Sequence, residues 1–150
     1  MEVTFTKLSD ARHAVQVTRG DGSTERVELA SRSFLNHDFA HLAVEAELEI
    51  EDGFWGSVAA GASLTGVGLA GEGISLAERL AGPVQSMLRV DAGPHEIQAA
   101  LESLAPDVVD DWSGARVHER LRRLRGQWQA TPYRREMTIV WPLGRVDLPA

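Results

Sequence analysis

The sequence predicts a single α+β domain over residues 1–150, in which an antiparallel sheet of about four strands packs on a layer of helices. Three observations lead to this fold class. Residues 3–29 alternate between polar and apolar side chains, the middle of the chain carries apolar residues at helical spacing, and residues 137–141 alternate again. A chain of 150 residues is long enough to bury a substantial core as one domain.

The first part of the chain predicts three short antiparallel strands. Residues 3–8, 13–18 and 25–29 each alternate in the way that a half-buried strand requires, and residues 20–23 (Gly-Asp-Gly-Ser) form a strong turn signal. Three strands joined by short turns make a meander. Residues 137–141 predict a fourth strand that returns to this N-terminal sheet.

A helix is predicted after the meander, and it should be the innermost helix of the domain. Asn36 is a suitable N-cap, and Asp38 then lies in the first turn, where the helix dipole favours negative charge. The helix should run to about Ile50 and end at Asp52-Gly53. A short helix should follow over residues 55–60, within a glycine-rich segment from Gly53 to Gly73.

Three further helices are predicted in the second half of the chain. Ser75 and Glu78 form a capping-box pattern at the start of the first, which Gly82-Pro83 should break or kink. Gly93-Pro94 begins the second, and Ser113 can cap the third. The apolar stripe of the third helix consists of Val117, Leu121, Leu124 and Trp128.

Composition argues against several classes of function. The chain has no cysteine, which excludes disulfides and thiolate metal sites. A net charge of −7 makes nucleic acid an unfavourable partner. Residues 53–71 are uncharged but too rich in glycine for a membrane span, and the N-terminus lacks the apolar core of a signal peptide, so we expect a cytoplasmic protein without a membrane partner. The preference for Arg over Lys is typical of GC-rich bacterial genomes.

The residues that bear most directly on function are His37, His41 and Glu45. They recur every four residues, so successive members are about 40° apart around a helix and can converge on one point. Histidines at i and i+4 have the spacing that two imidazoles need to share a zinc ion. The leading hypothesis is therefore a zinc site with these three ligands, to which His118 could add a further one.

The run from His37 to His41 resembles the HExxH motif of zinc metalloproteases, with Asp38 where those enzymes carry glutamate. The resemblance implies hydrolysis in which Asp38 would act on a zinc-bound water, as the glutamate does in those enzymes. The aspartate is one methylene shorter, and the downstream glycine and histidine of the metzincins are not present.

A second resemblance covers about the first 60 residues. The pattern HDxxHxxVE over residues 37–45, followed by GFWG over residues 53–56, is similar to a group of small uncharacterised bacterial proteins with a comparable N-terminal sheet. This resemblance implies relatives and a sheet, but it implies no activity.

A competing interpretation is a non-catalytic interaction module in which the histidines are structural. The partner surface would then be the glycine-rich segment or the arginine-rich residues 116–135, and the partner could be a second copy of the chain. Residues 116–135 hold seven arginines against Glu119 alone, and we interpret them mainly as a solvated helix that pairs with the acidic remainder of the protein. Residues 66–71 match GxGxxG, but the strand that a phosphate site needs is not predicted before them.

Overall fold

The structure, a computed structural model, describes residues 1–65 and 75–149 and has the predicted α+β architecture. The strands are β1 (Glu2–Lys7), β2 (Arg12–Thr18), β3 (Thr24–Ala30) and β4 (Glu136–Val140). The helices are α1 (Ser31–Glu47), α2 (Phe54–Ala59), α3 (Leu76–Leu88), α4 (Pro94–Leu104) and α5 (Ser113–Ala130). Among the described residues, no helix combines the length and the apolar character needed to cross a bilayer.

The four strands form one antiparallel sheet in the order β3-β2-β1-β4. The predicted meander supplies three of them, and β4 returns to pair with β1, with Thr4 opposite Thr138. Because side chains alternate along a strand, one face of the sheet presents an apolar surface to the helices. The buried residues of that face include Val3, Phe5, Val15, Val17, Met137 and Ile139.

Helix α1 lies at the centre of the domain, as the sequence predicts for the helix that carries His37. It contacts β2 and β3, and both α3 and α5 pack against it. Every residue from Asp38 to Leu48 is buried, so this part of the helix is covered on all sides. Three of those residues are carboxylates, and each therefore needs a partner inside the protein.

Helix α1 begins six residues before the predicted start. Its N-cap is Ala30, which offers no side-chain hydrogen bond, and Asn36 lies within the helix. The N–H of Ser31 is instead satisfied by the carbonyl oxygen of Ala11 at 2.8 Å, because β3 continues directly into the helix beside the turn that contains Ala11. A tertiary contact thus replaces the side-chain cap that the sequence pattern suggested.

From the sequence, Gly82-Pro83 is expected to break or kink α3; the helix is not broken there, because it continues through Pro83 to Leu88. Proline removes the hydrogen bond to the carbonyl four residues earlier, which here belongs to Arg79. Arg79 is exposed, so water can replace the missing donor. Ser113 also differs slightly from its prediction, since it is the first residue of α5 and its hydroxyl bonds to Asp110 while Trp112 is the N-cap.

The arginine-rich helix pairs with acidic side chains, as we interpreted it from the sequence. The pairs are Arg116–Asp110, Arg116–Glu47, Arg120–Glu47, Arg122–Glu119, Arg123–Glu119 and Arg125–Asp91. The most buried acid among them is Glu47, which is fully buried and accepts hydrogen bonds from Arg120 Nε at 2.8 Å and from the N–H of Val146 at 3.0 Å. This ion pair joins the central helix α1 to α5.

Replacing Glu47 with glutamine should destabilise the fold, because it removes one charge of a buried pair and leaves Arg120 without its counter-ion. We expect Glu47→Gln to lower the free energy of unfolding by about 3 kcal/mol. The control is Glu28→Gln, which breaks the exposed pair with Arg26 and should cost less than about 1 kcal/mol. Urea unfolding monitored by circular dichroism measures both, and equal costs would contradict the role given to Glu47.

Candidate metal centre

Two histidines on α1 and one glutamate on α3 converge at the interface of these helices. His37 and His41 lie one turn apart, and their ring centroids are separated by 4.6 Å. Glu78, in the first turn of α3, brings its carboxylate to both rings: Oε2 is 2.8 Å from His41 Nε2, and Oε1 is 4.0 Å from His37 Nε2. One ligand atom from each residue lies within 4.8 Å of the other two, so the group could hold a metal ion.

The imidazole of His41 is held in one orientation by a buried carboxylate. Its Nδ1 is 3.0 Å from Glu45 Oε2, and both side chains are almost completely buried. If Nδ1–H donates to the ionised Glu45, the lone pair of the ring is on Nε2. The Nε2 atom has no hydrogen-bond partner among the described residues, although the carboxylate oxygen of Glu78 is close to it. In that tautomer, two electron-rich atoms approach each other with no hydrogen bond of good geometry between them.

Glu45 itself faces away from this convergence point. Its two oxygens accept hydrogen bonds from the backbone N–H groups of Phe54, Trp55 and Gly56, at 2.9, 2.9 and 3.2 Å. These are the free N–H groups at the start of α2, which have no partner within their own helix. From the sequence, Glu45 is expected to be the third ligand. In the structure, the carboxylate that joins the two histidines in the cluster is that of Glu78, and Glu45 instead contacts Nδ1 of His41.

The glycines of the GFWG segment make the close approach of Glu45 sterically feasible. A Cβ atom on Gly53 would overlap the carboxyl group of Glu45, and a Cβ atom on Gly56 would overlap the backbone carbonyl of Glu51. Glycine is therefore required at both positions by the space available. The two parts of the sequence pattern, HDxxHxxVE and GFWG, are thus two sides of one buried contact.

His37 has a carboxylate partner of its own, although the contact is looser. Its Nδ1 is 3.3 Å from Asp38 Oδ1, and its side chain is 30% exposed. The hydrogen bond to Asp38 is the main cause that raises the pKa of His37 above the usual value, and burial opposes it. Asp38 therefore contacts the Nδ1 side of the ring, while Nε2, across the ring, faces Glu78.

An apolar wall completes the centre. The ring of Phe54 packs against both imidazoles, with centroid distances of 6.0 Å to His37 and 5.6 Å to His41. The indole N–H of Trp55 donates to the backbone carbonyl of Asp38 at 3.2 Å, which ties α2 to α1 a second time. One side of the cluster is thereby closed, and the exposed parts of His37 and Glu78 leave the other side open to solvent.

His118 does not belong to this cluster. It lies on α5 and lines a different pocket, with residues such as Met87, Ile97 and Arg125. The GxGxxG match at residues 66–71 lies outside the described residues.

From the sequence, Glu78 is expected to be a helix-capping residue and not a metal ligand. Its place in a capping box suggested that its carboxylate would turn back to Ser75. In the structure, Ser75 Oγ does accept the backbone N–H of Glu78 at 3.2 Å, but the carboxylate turns to His41 instead.

Comparisons with known proteins identify no relative. No protein-family profile matches the chain, and neither a curated protein nor a solved structure shows significant similarity to it. The geometry of the site therefore carries the functional argument.

Gly53→Ala should destabilise the protein, because the added methyl group would displace the Glu45 carboxylate from the N–H groups of α2. We expect a loss of about 1–3 kcal/mol in the free energy of unfolding, the range for overpacking a tight site. Gly126→Ala is the matched control: this glycine lies inside α5 with open space around it, so alanine should stabilise the protein by about 0.5–1 kcal/mol. Thermal unfolding of the two variants should shift in opposite directions.

The pKa of His37 offers a direct test of its contact with Asp38. Because folding raises this pKa, the pair adds fully to stability below about pH 6.5, the unfolded value, and the contribution disappears as the pH rises through the folded pKa. In Asp38→Asn, the pKa of His37 should fall towards 6.5 in an NMR titration of the imidazole signals. Asp52→Asn, on an exposed neighbouring loop, should leave it unchanged, and an unaltered value in Asp38→Asn would refute the contact.

Proposed function

We propose that this protein binds a divalent transition metal, zinc, through His37, His41 and Glu78. The observation that carries the proposal is the state of His41: Nε2 is buried, has no hydrogen-bond partner among the described residues, and is 2.8 Å from an oxygen of Glu78. In the tautomer with its proton on Nδ1, the bare Nε2 and an ionised carboxylate repel each other at this distance unless a proton or a metal cation lies between them. A metal ion is a cation that both atoms can bind.

The ligand chemistry favours zinc over the harder cations. Two imidazoles and one carboxylate form a common three-residue zinc set, whereas calcium and magnesium prefer oxygen ligands alone. The bond lengths are also within reach, because zinc binds nitrogen and oxygen at about 2.0–2.2 Å and the ligand atoms need only small movements to surround one point. His37 and Glu78 are the more exposed members, so they can make those movements while His41 stays fixed.

The carboxylates behind the histidines support the same proposal. Metal-binding histidines usually donate their second N–H to a carboxylate, which fixes the ring and increases its basicity. The carboxylate of Glu45 contacts Nδ1 of His41 in this way, and the carboxylate of Asp38 contacts Nδ1 of His37. This contact favours a positioning role for Asp38 over the catalytic role that its resemblance to the metalloprotease motif implied.

Three protein ligands would leave a further coordination position on the open side for water. A zinc-bound water loses a proton far more readily than free water does, which is the basis of hydrolysis by such centres. We therefore extend the proposal to hydrolytic activity, in which the metal would supply the activated water. The substrate would have to approach from the solvent side of His37 and Glu78.

The alternative function, a non-catalytic interaction module, is favoured by a separate observation. Several large apolar side chains are exposed, including Trp112 at 64% and Val140 at 64%, the latter on the edge strand β4. Exposed apolar residues next to an open strand edge are suited to contact with another chain. In that case a proton shared by His41 and Glu78 would replace the metal.

Metal content separates the two functions. Protein purified without an affinity tag or chelator should contain about one zinc per chain, or take up one zinc with a large increase in melting temperature. His41→Ala and Glu78→Gln should each weaken zinc binding at least 100-fold in calorimetric titrations, because each removes a ligand. Glu45→Gln should weaken it by about 10- to 100-fold, the effect expected for an outer carboxylate.

His118→Ala is the matched control for these variants. It removes a histidine that lies outside the cluster and should leave zinc binding unchanged. The melting temperature of each metal-free variant shows whether the protein remains folded. If folded wild-type protein takes up no zinc, or if His118→Ala weakens binding as much as His41→Ala does, the metal proposal is wrong.

A further inference from the structure

An apolar pocket adjoins the proposed metal centre. It has a volume of about 340 Å³ and lies between the edge of the sheet and the helices α1 and α2. Val27 and Leu29 of β3 form one wall, and Trp55 and Leu64 form another. His37 and Asp38 line the same pocket, so one member of the metal cluster also borders this apolar space.

The size of the pocket limits what could occupy it. Small-molecule sites in proteins usually measure about 300–1,000 Å³, and a cavity of about 150 Å³ is sufficient for benzene. A pocket of 340 Å³ therefore matches an aryl group or an alkyl chain of medium length, and it is too small for a folded partner. Its lining is mainly apolar, so a charged or strongly hydrated group would lose its solvation without compensation there.

The charges around His37 restrict the polar end of such an occupant. Asp38, Glu45 and Glu78 together contribute three negative charges next to the cluster, which a divalent metal would only partly balance. A ligand with a fixed negative charge would therefore be disfavoured. A neutral oxygen-containing group, such as the carbonyl of an ester or amide, has no such penalty and can still bind zinc.

We propose that this pocket holds the aryl or medium-chain alkyl part of a small neutral acyl compound, whose carbonyl end reaches the metal beside His37. This inference rests on the proposed function, since it needs a metal at the cluster. It deepens that function by naming the substrate class. Trp55 would contribute doubly, because its ring lines the pocket while its N–H fixes the backbone of Asp38.

A series of hydroxamic acids tests the inference, because each acid is neutral in solution at neutral pH and chelates zinc through the same two oxygens, with loss of one proton, whatever its substituent. Zinc-loaded protein should bind acetohydroxamic acid weakly, and hexanohydroxamic and benzohydroxamic acids at least tenfold more tightly. Burying a methylene is worth about 0.8 kcal/mol, or about fourfold in affinity, so a tenfold gain requires only part of the chain to enter. Calorimetric titration measures each dissociation constant.

Two variants identify the pocket as the source of that gain. Val27→Phe fills part of the pocket from β3 and should reduce the gain from acetohydroxamic to hexanohydroxamic acid to less than threefold, with one zinc still bound per chain. Leu29→Phe should act in the same way if Val27→Phe does not fold. Val140→Phe adds the same ring at an exposed position on β4 and should keep the full gain.

The outcomes distinguish this inference from the proposed function. If acetohydroxamic acid binds the zinc-loaded protein and the longer compounds bind no better, the pocket inference is overturned while the metal centre stands. A gain that survives both phenylalanine variants in folded protein overturns it as well. If zinc itself does not bind, the proposed metal-binding function is wrong, and the pocket inference is overturned with it because it needs a metal at the cluster.

Discussion

The structure around the candidate site depends on the buried carboxylate of Glu45. Burial of a charge is costly, and here the cost is offset by four donors: three backbone N–H groups at the start of α2 and the Nδ1 atom of His41. These contacts set the position of α2 against α1. They also require glycine at position 53 and determine which nitrogen of His41 faces Glu78.

Two buried glutamates serve different sides of the same helix. Glu45 and Glu47 are two residues apart, so their side chains leave α1 in roughly opposite directions. Glu45 meets backbone N–H groups of α2, whereas Glu47 meets the guanidinium of Arg120 on α5. Polar contacts on both sides, as well as apolar packing, thus fix the position of the central helix α1. The positions of His37 and His41 are fixed with it.

The sequence predicted the strands, the interior position of the His37 helix and the convergence of His37 with His41, because each follows from local periodicity. It misplaced features that depend on contacts between distant parts of the chain. The start of α1 coincides with a backbone hydrogen bond from Ser31 to Ala11, and α3 continues through Pro83, where the residue that loses its hydrogen-bond donor, Arg79, is exposed. Glu78 could not be identified as a cluster member without the packing of α3 on α1, since its sequence context is that of an ordinary helix cap.

The pairing of β4 with β1 has a consequence for how the protein folds. Thr4 and Thr138 face each other across the sheet although they are 134 positions apart in the chain. During synthesis, β1 can pair with β2 early, but its second edge stays open until residues 136–140 leave the ribosome. Contacts of such long sequence separation slow folding, and an open apolar strand is a site for premature association. The nascent chain is therefore most vulnerable to aggregation just before β4 is made.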